Sequence, residues 1–250
     1  MISLSITETA SVTVDTDPPE VTIRQLKNKN LPGRSKRLDD RRLPVDILLL
    51  TVEDWEFLSC LSYLNPGFGK FCHSELGFVY LGDMGDDMKL NIAVIKCGKG
   101  ASVLAVENAV KVLGPKAVFA VGSCSGLDCK KAKLGDVVVL DKLITYGPSK
   151  VTENGIEELG VKVPLKPRLS KLTTTAGGGW EPPLKDASEL EVEIHRGAFL
   201  SGPEVVESRE RCRALIERFR GAVAIEGEGE GTFLVRFTWL TESSGIQLLN

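Results

Sequence analysis

The stretch KAVFAVGSCSGLDCKKAKLGDVVVL, residues 116–140, decides the fold. Ala117 to Val121 is a short unbroken apolar run, the mark of a strand buried on both faces. It runs into Gly122-Ser123-Cys124-Ser125-Gly126, a turn of small residues. There a backbone can approach a ligand closely and offer its N–H groups to an anion or a polar base edge. Such a turn after a strand is common in α/β folds and is weak evidence by itself. Asp136 to Asp141 then brackets a second apolar strand, Val137 to Leu140.

Outward from this stretch the pattern repeats. Val45 to Leu50 reads as a buried strand. Glu53 to Leu64 sets Trp55, Leu58, Leu61 and Leu64 at helical spacing, and Pro66-Gly67 ends that helix. Phe78 to Leu81 and Leu90 to Cys97 read as strands across a polar turn at 82–87. Ala101 to Leu113 is a helix stopped by Gly114 and Pro115. Gly197 to Ser201 reads as a strand, Arg209 to Arg220 as a charged amphipathic helix, and Ala222 to Ile225 as a last strand. Strands alternating with helices predict an α/β fold: a single three-layer domain with a mainly parallel, mixed central sheet.

Residues 1–43 are polar and interrupted by Pro18, Pro19, Pro32 and Gly33, which reads as a disordered leader. Residues 44–250 read as the domain. Within it, 147–190 carries five prolines and the run Gly177–Gly179, the composition of a long loop or insertion.

Bulk properties exclude several classes. The 250 residues carry 31 basic and 34 acidic side chains, so nothing favours nucleic acid as a partner. The basic cluster Arg34 to Arg42 is interrupted by Asp39 and Asp40 and reads as a solvated linker. No apolar run approaches the roughly 18 residues of a membrane span, so no membrane contact is expected. Six scattered cysteines and two distant histidines give no zinc spacing, and no metal or cofactor is expected. Unpaired cysteines without a signal peptide point to the cytoplasm.

In such sheets ligands gather at the C-terminal strand ends. The loops at 51–56, 98–100, 122–127, 201–206 and 226–228 each follow a predicted strand directly. That coincidence is the bottom-up evidence for a site.

The Gly-Ser turn at 122–126 and the later Leu134-Gly135-Asp136-Val137-Val138-Val139 resemble, in type and separation, paired motifs of the nucleoside phosphorylase/nucleosidase superfamily. Gly98-Lys99-Gly100 fits the preceding loop. SGPEVVESRERCRALIERFRGAVAIEGEGEG, residues 201–231, resembles the part of that family leading to a Glu-Met-Glu element. The resemblance covers residues 45–228, poorly over 147–190, and is nearest to methylthioadenosine/adenosylhomocysteine nucleosidases. It implies a purine nucleoside as ligand. Gly122, Ser123 and Cys124 would line the site, with Ser125 in place of the usual glycine. The backbone at Val205 and Val206 would cradle the base. Glu226-Gly227-Glu228 would be the Glu-Met-Glu element, with Glu228 taking the ribose hydroxyls and Gly227 replacing the methionine. Glu56 would activate the attacking water, with Glu53 as runner-up. Acids here also simply favour a helix N-terminus.

The resemblance leaves hydrolysis and phosphorolysis open. Phosphorylases of the family place an arginine two or three residues before the Gly-Ser turn, where this chain has Phe119 and Ala120. That favours hydrolysis. The family also supplies an aspartate beyond Glu-Met-Glu as the acid for the leaving base. This chain has no aspartate after Asp186. Its end therefore reads as incomplete for catalysis: a truncated or alternatively spliced form, a nucleoside-binding pseudoenzyme, or an enzyme borrowing its acid from another subunit. A homo-oligomer is what the family implies.

Overall fold

The computed structural model describes residues 2–4, 19–38, 44–98, 102–127, 130–147, 149–153, 155–158, 162–165, 167–174, 178–186, 188, 190–202, 206 and 208–226. In chain order the strands and helices begin with β1 (Ile2–Leu4), β2 (Lys36–Arg37), β3 (Ile47–Thr51), α1 (Asp54–Ser62), β4 (Gly69–His73) and β5 (Gly77–Met84). There follow β6 (Leu90–Lys96), α2 (Ser102–Leu113), β7 (Ala117–Gly122), β8 (Ser125–Gly126), β9 (Val137–Thr145) and β10 (Ser149–Thr152). The last are β11 (Gly155–Glu158), β12 (Lys162–Pro164), α3 (Pro167–Thr174), β13 (Ile194–Ser201), α4 (Arg209–Arg218) and β14 (Ala222–Glu226). The contacts divide the chain near Val121 into two compact units, where the sequence reads as one domain over 44–250.

The unit within residues 23–121 is a sheet in the order β2-β4-β5-β6-β3-β7. β3 lies between β6 and β7 and is parallel to both. The hairpin partners β4, β5 and β6 run antiparallel in sequence. The unbroken apolar run of β3 now has its reason. Leu48 and Leu50 pack with Val106, Ala109, Val110 and Leu113 of α2. Ile47 and Leu49 face Phe57, Cys60 and Leu61 of α1. A strand covered on both faces leaves no polar side to alternate with.

This unit also reclaims part of the stretch read as a disordered leader. Leu26 is buried against α1, and its N–H donates to Ser62 Oγ at 3.0 Å. Leu38 is buried and its N–H donates to the Cys72 carbonyl at 3.0 Å, extending the pairing of β2 with β4. Isolated leucines in a polar segment show no period, so only tertiary burial reveals them.

The unit built from the remaining described residues centres on β9, β13 and β14, three adjacent parallel strands. β1 and β12 both pair antiparallel with β9, and β8 pairs antiparallel with β14. Helix α4 covers one face, setting Leu215, Cys212 and Ile216 against Ile144, Ala198, Leu200 and Ile225. Its start is fixed by Ser208, whose hydroxyl accepts the Arg211 N–H at 3.3 Å. Leu143, Phe199 and Ala224 are buried outside that cluster, on the alternate positions.

The region 147–190, read as a long loop, contains the β10–β11 hairpin, β12 and α3. Arg196 on β13 anchors α3 by donating to Thr174 Oγ1 and Ser170 Oγ, and it also meets Asp141. Near its end, Leu184 bridges Val21 in antiparallel fashion, again within the presumed leader. Prolines broke the periodicity without preventing short strands.

Candidate functional site

Glu56 sits in the first turn of α1, directly after β3. Its Oε2 accepts the backbone N–H groups of Val52 and Glu53, each at 3.0 Å. The side chain is folded back onto the strand-to-helix turn and is buried, 6% exposed. A carboxylate at this position satisfies N–H groups that the helix itself leaves unpaired. Glu53 is the residue that precedes the helix, and Asp54 reaches outward to Lys96 Nζ at 2.5 Å. Of the three acids in this turn, Glu56 is thus the buried one held at the C-terminal end of a parallel strand. Its charge, added to the larger effect of burial, pushes the Cys60 thiol up to about 12.

The other unit collects the remaining backbone. β7 ends at Gly122; Ser123 is half-buried and Cys124 buried. The sequence reads 122–126 as a plain turn, but Ser125 and Gly126 form β8, in register with Ile225 and Ala224 of β14. The Leu127 N–H continues this ladder to the Val223 carbonyl at 3.0 Å. Running antiparallel, β8 leads back to Cys124 and Ser123 as β14 leads on to Glu226.

Glu226 is the last residue of β14 and the register partner of Ser201 at the end of β13. Ser201 in turn is in register with Thr145 at the end of β9. The Ser201 carbonyl accepts the Tyr146 N–H at 2.9 Å. A side chain at Gly202 would start 2.6 Å from the Tyr146 ring and 2.8 Å from its carbonyl oxygen, so glycine is needed for this close approach. Val206 is half-buried and packs beside the cluster of Leu127, Tyr146 and Leu215. Val205, Gly227 and Glu228 lie outside the described residues, as do Lys99 and Gly100.

Gly122, Ser123, Cys124, Val206 and Glu226 therefore belong to one unit, around the C-terminal ends of β13 and β14. Glu56 belongs to the other. Sequence reasoning named the loop at 201–206 but passed over the Ser201 hydroxyl itself. Its signal was a polar residue closing an apolar strand, at the edge where ligands bind. Among the described residues no cluster of histidine, cysteine, aspartate or glutamate could hold a metal ion, and no helix is long and apolar enough to cross a membrane.

Asp136, in the second motif, serves elsewhere. It lies at the N-terminal ends of the strands, 1% exposed, and accepts N–H bonds from Lys133 at 2.8 Å and Glu193 at 2.9 Å. Burial pushes its carboxyl up, but those bonds and the neighbouring His195 outweigh it and hold the carboxyl below the usual aspartate range.

A mixed α/β sheet with small-residue turns at its C-terminal strand ends is the class of fold that the chain adopts. A family profile described as the phosphorylase superfamily matches residues 62–234. The chain belongs to that superfamily. It is 27% identical over 226 residues to a death domain-containing ATP nucleosidase of Amphimedon queenslandica, an alignment covering 81% of this chain and 42% of that protein. The chain thus spans about two fifths of the curated relative's length.

Solved structures share the fold. A 5′-methylthioadenosine/S-adenosylhomocysteine nucleosidase from Colwellia psychrerythraea, in complex with adenine, superposes with a TM-score of 0.61 at 17% identity, over 80% of this chain and 79% of that one. A futalosine hydrolase mutant of Helicobacter pylori gives 0.57 at 20% identity, over 80% and 87%.

Proposed function

We propose that the chain hydrolyses the N-glycosidic bond of a purine nucleoside, as a nucleosidase of nucleoside catabolism in the cytoplasm. The observation that carries this reading is Glu56, a buried carboxylate fixed by two backbone N–H groups at the end of a parallel strand. Superfamily membership supplies the reaction class. In the step proposed, a water oxygen bonds to the anomeric carbon while the bond to the purine nitrogen breaks. The electron pair leaves with the purine. One water proton passes to Glu56, the other stays on the new sugar hydroxyl, and the departing purine anion takes its proton from solvent water. Fixing the base in advance is what lets one carboxylate matter, since a general base contributes about 10²–10⁴-fold.

Phosphorolysis is disfavoured by a specific observation. Phe119 and Ala120 occupy β7 where an arginine would hold phosphate, and Ala120 is buried. Among substrates, the curated relative's name favours a nucleotide, while one structural neighbour's name favours methylthioadenosine or adenosylhomocysteine and the other's favours futalosine.

The test is release of free adenine from methylthioadenosine, adenosylhomocysteine, adenosine and ATP, with and without phosphate. Release independent of phosphate and lost in Glu56→Gln supports the reading. Release that requires phosphate transfers it to the phosphorylases. Ligand-induced thermal stabilisation without any release would assign the chain instead to nucleoside sensing without turnover.

A further inference from the structure

Three buried side-chain atoms among the described residues lack a hydrogen-bond partner: Thr51 Oγ1, Arg196 Nε and Ser201 Oγ. The guanidinium of Arg196 is held through its other nitrogens. The two hydroxyls are different. Each belongs to the last residue of a parallel strand, Thr51 on β3 in one unit and Ser201 on β13 in the other.

Ser201 is the sharper case, being 0% exposed. A hydroxyl buried without a partner costs about 1–3 kcal/mol, and alanine would avoid that cost with almost the same shape. A serine here is therefore matched to something other than its own chain. Its place is well defined. The alternate residues Leu143 and Phe199 bury their side chains on the face away from α4, and Thr145 and Ser201 continue that face to the C-terminal edge. Glu226 is the register partner on the far side. The bond from Tyr146 to the Ser201 carbonyl and the tight approach of Gly202 to Tyr146 fix the backbone that carries the hydroxyl. A hydroxyl held in this way is pre-organised for a ligand.

The chemistry of the partner follows from that of the group. A phosphate calls for cations, and a ribose diol is well matched by a carboxylate. A neutral hydroxyl that can both donate and accept matches the edge of a neutral heterocycle, which offers both acceptors and donors. We infer that Ser201 is a specificity residue whose hydroxyl hydrogen-bonds the base of a bound purine nucleoside. The inference rests on the nucleosidase reading given above.

Calorimetric titration of wild type and Ser201→Ala with adenine and with adenosine tests it, alongside the melting temperature of each free protein. Loss of this bond should weaken both ligands by about tenfold. The melting temperature of the free protein should stay level or rise. Equal affinities in the two proteins overturn the inference and leave the nucleosidase reading intact. Weaker adenosine with unchanged adenine moves the contact to the sugar and overturns the assignment to the base. A drop of several degrees in the free variant shows that the hydroxyl bonds its own chain, which also overturns it. A wild type that binds neither ligand sinks the nucleosidase reading and this inference together.

Discussion

His195 Nε2 lies 2.7 Å from Asp136 Oδ2, across the N-terminal ends of the parallel strands β13 and β9. The carboxylate only accepts, so the imidazole donates. Asp136 also takes the N–H groups of Lys133 and Glu193, which tie the two loops entering these strands. Asp136→Ala leaves those groups without a partner and should destabilise the protein by roughly 3 kcal/mol. His195→Ala removes one bond at a partly exposed site and should cost about 1 kcal/mol. Urea unfolding measures both. An Asp136→Ala variant as stable as wild type would show that the tie is not structural.

The same pair sets a dependence on pH. The Asp136 carboxyl titrates lower in the folded chain than the ordinary aspartate value of about 3.9, so the unfolded chain binds the proton more readily. Its contribution is complete above that ordinary value and is lost as the pH falls through the folded one. The stability gap between wild type and Asp136→Asn should therefore be constant near neutrality and shrink below about pH 4. A gap that widens on acidification would contradict this sign.

Glu56 caps α1 and, in the reaction proposed above, also activates water, two tasks that substitution can separate. Its carboxylate accepts two N–H groups at the start of α1, which glutamine can also do through its carbonyl oxygen. Glu56→Gln should hold stability within about 0.5 kcal/mol, whereas Glu56→Ala should lose about 1 kcal/mol of capping. Both should lose nucleosidase turnover alike. Retained turnover in the glutamine variant would leave Glu56 with its capping task alone.

The cysteines should differ sharply in reactivity. Burial pushes Cys97 up to about 11 and Cys60 to about 12, the latter with help from Glu56. Cys72 is exposed. Only the thiolate is nucleophilic. Brief alkylation at neutral pH, read by peptide mass spectrometry, should label Cys72 and spare Cys60 and Cys97 until denaturant is added. Early labelling of Cys60 would mean that α1 opens readily.

Two glycines are fixed by contact. A Cβ at Gly197 would lie 2.2 Å from Val223 Cγ2, between β13 and β14. Gly197→Ala should cost about 1–3 kcal/mol by forcing these elements apart, and Gly202→Ala, facing the Tyr146 carbonyl, should cost at least as much. Thermal melts of the two variants check the prediction. Only Gly202→Ala should also weaken nucleoside binding.

The buried strands were legible because burial on both faces writes itself as an apolar run, as in β3 and β7. Gly69–His73 was not, since GKFCH is an edge-side strand with little apolar signal. The pairing of Ser125-Gly126 with β14 was hidden because a two-residue strand has no period to read. Asp136 stood out as a bracket to its strand and as part of the second motif, but not as a structural tie. Its role needs Glu193 and His195, more than 50 positions away in sequence. Glu56 was nameable from its spacing after the strand. The Ser201 hydroxyl was not, because an unpaired atom is a property of its surroundings and leaves no trace in residue type.

β13 carries its proton-sensitive tie at His195 and its orphan hydroxyl at Ser201, six positions further along the strand. At about 3.3 Å per residue the two lie about 20 Å apart, beyond the Debye length of physiological salt. Durability and molecular choice are thus written at opposite ends of one strand. Selection, or an engineer, could retune the heat tolerance of this protein through its Asp136 end while the preference for one base over another is inherited unchanged.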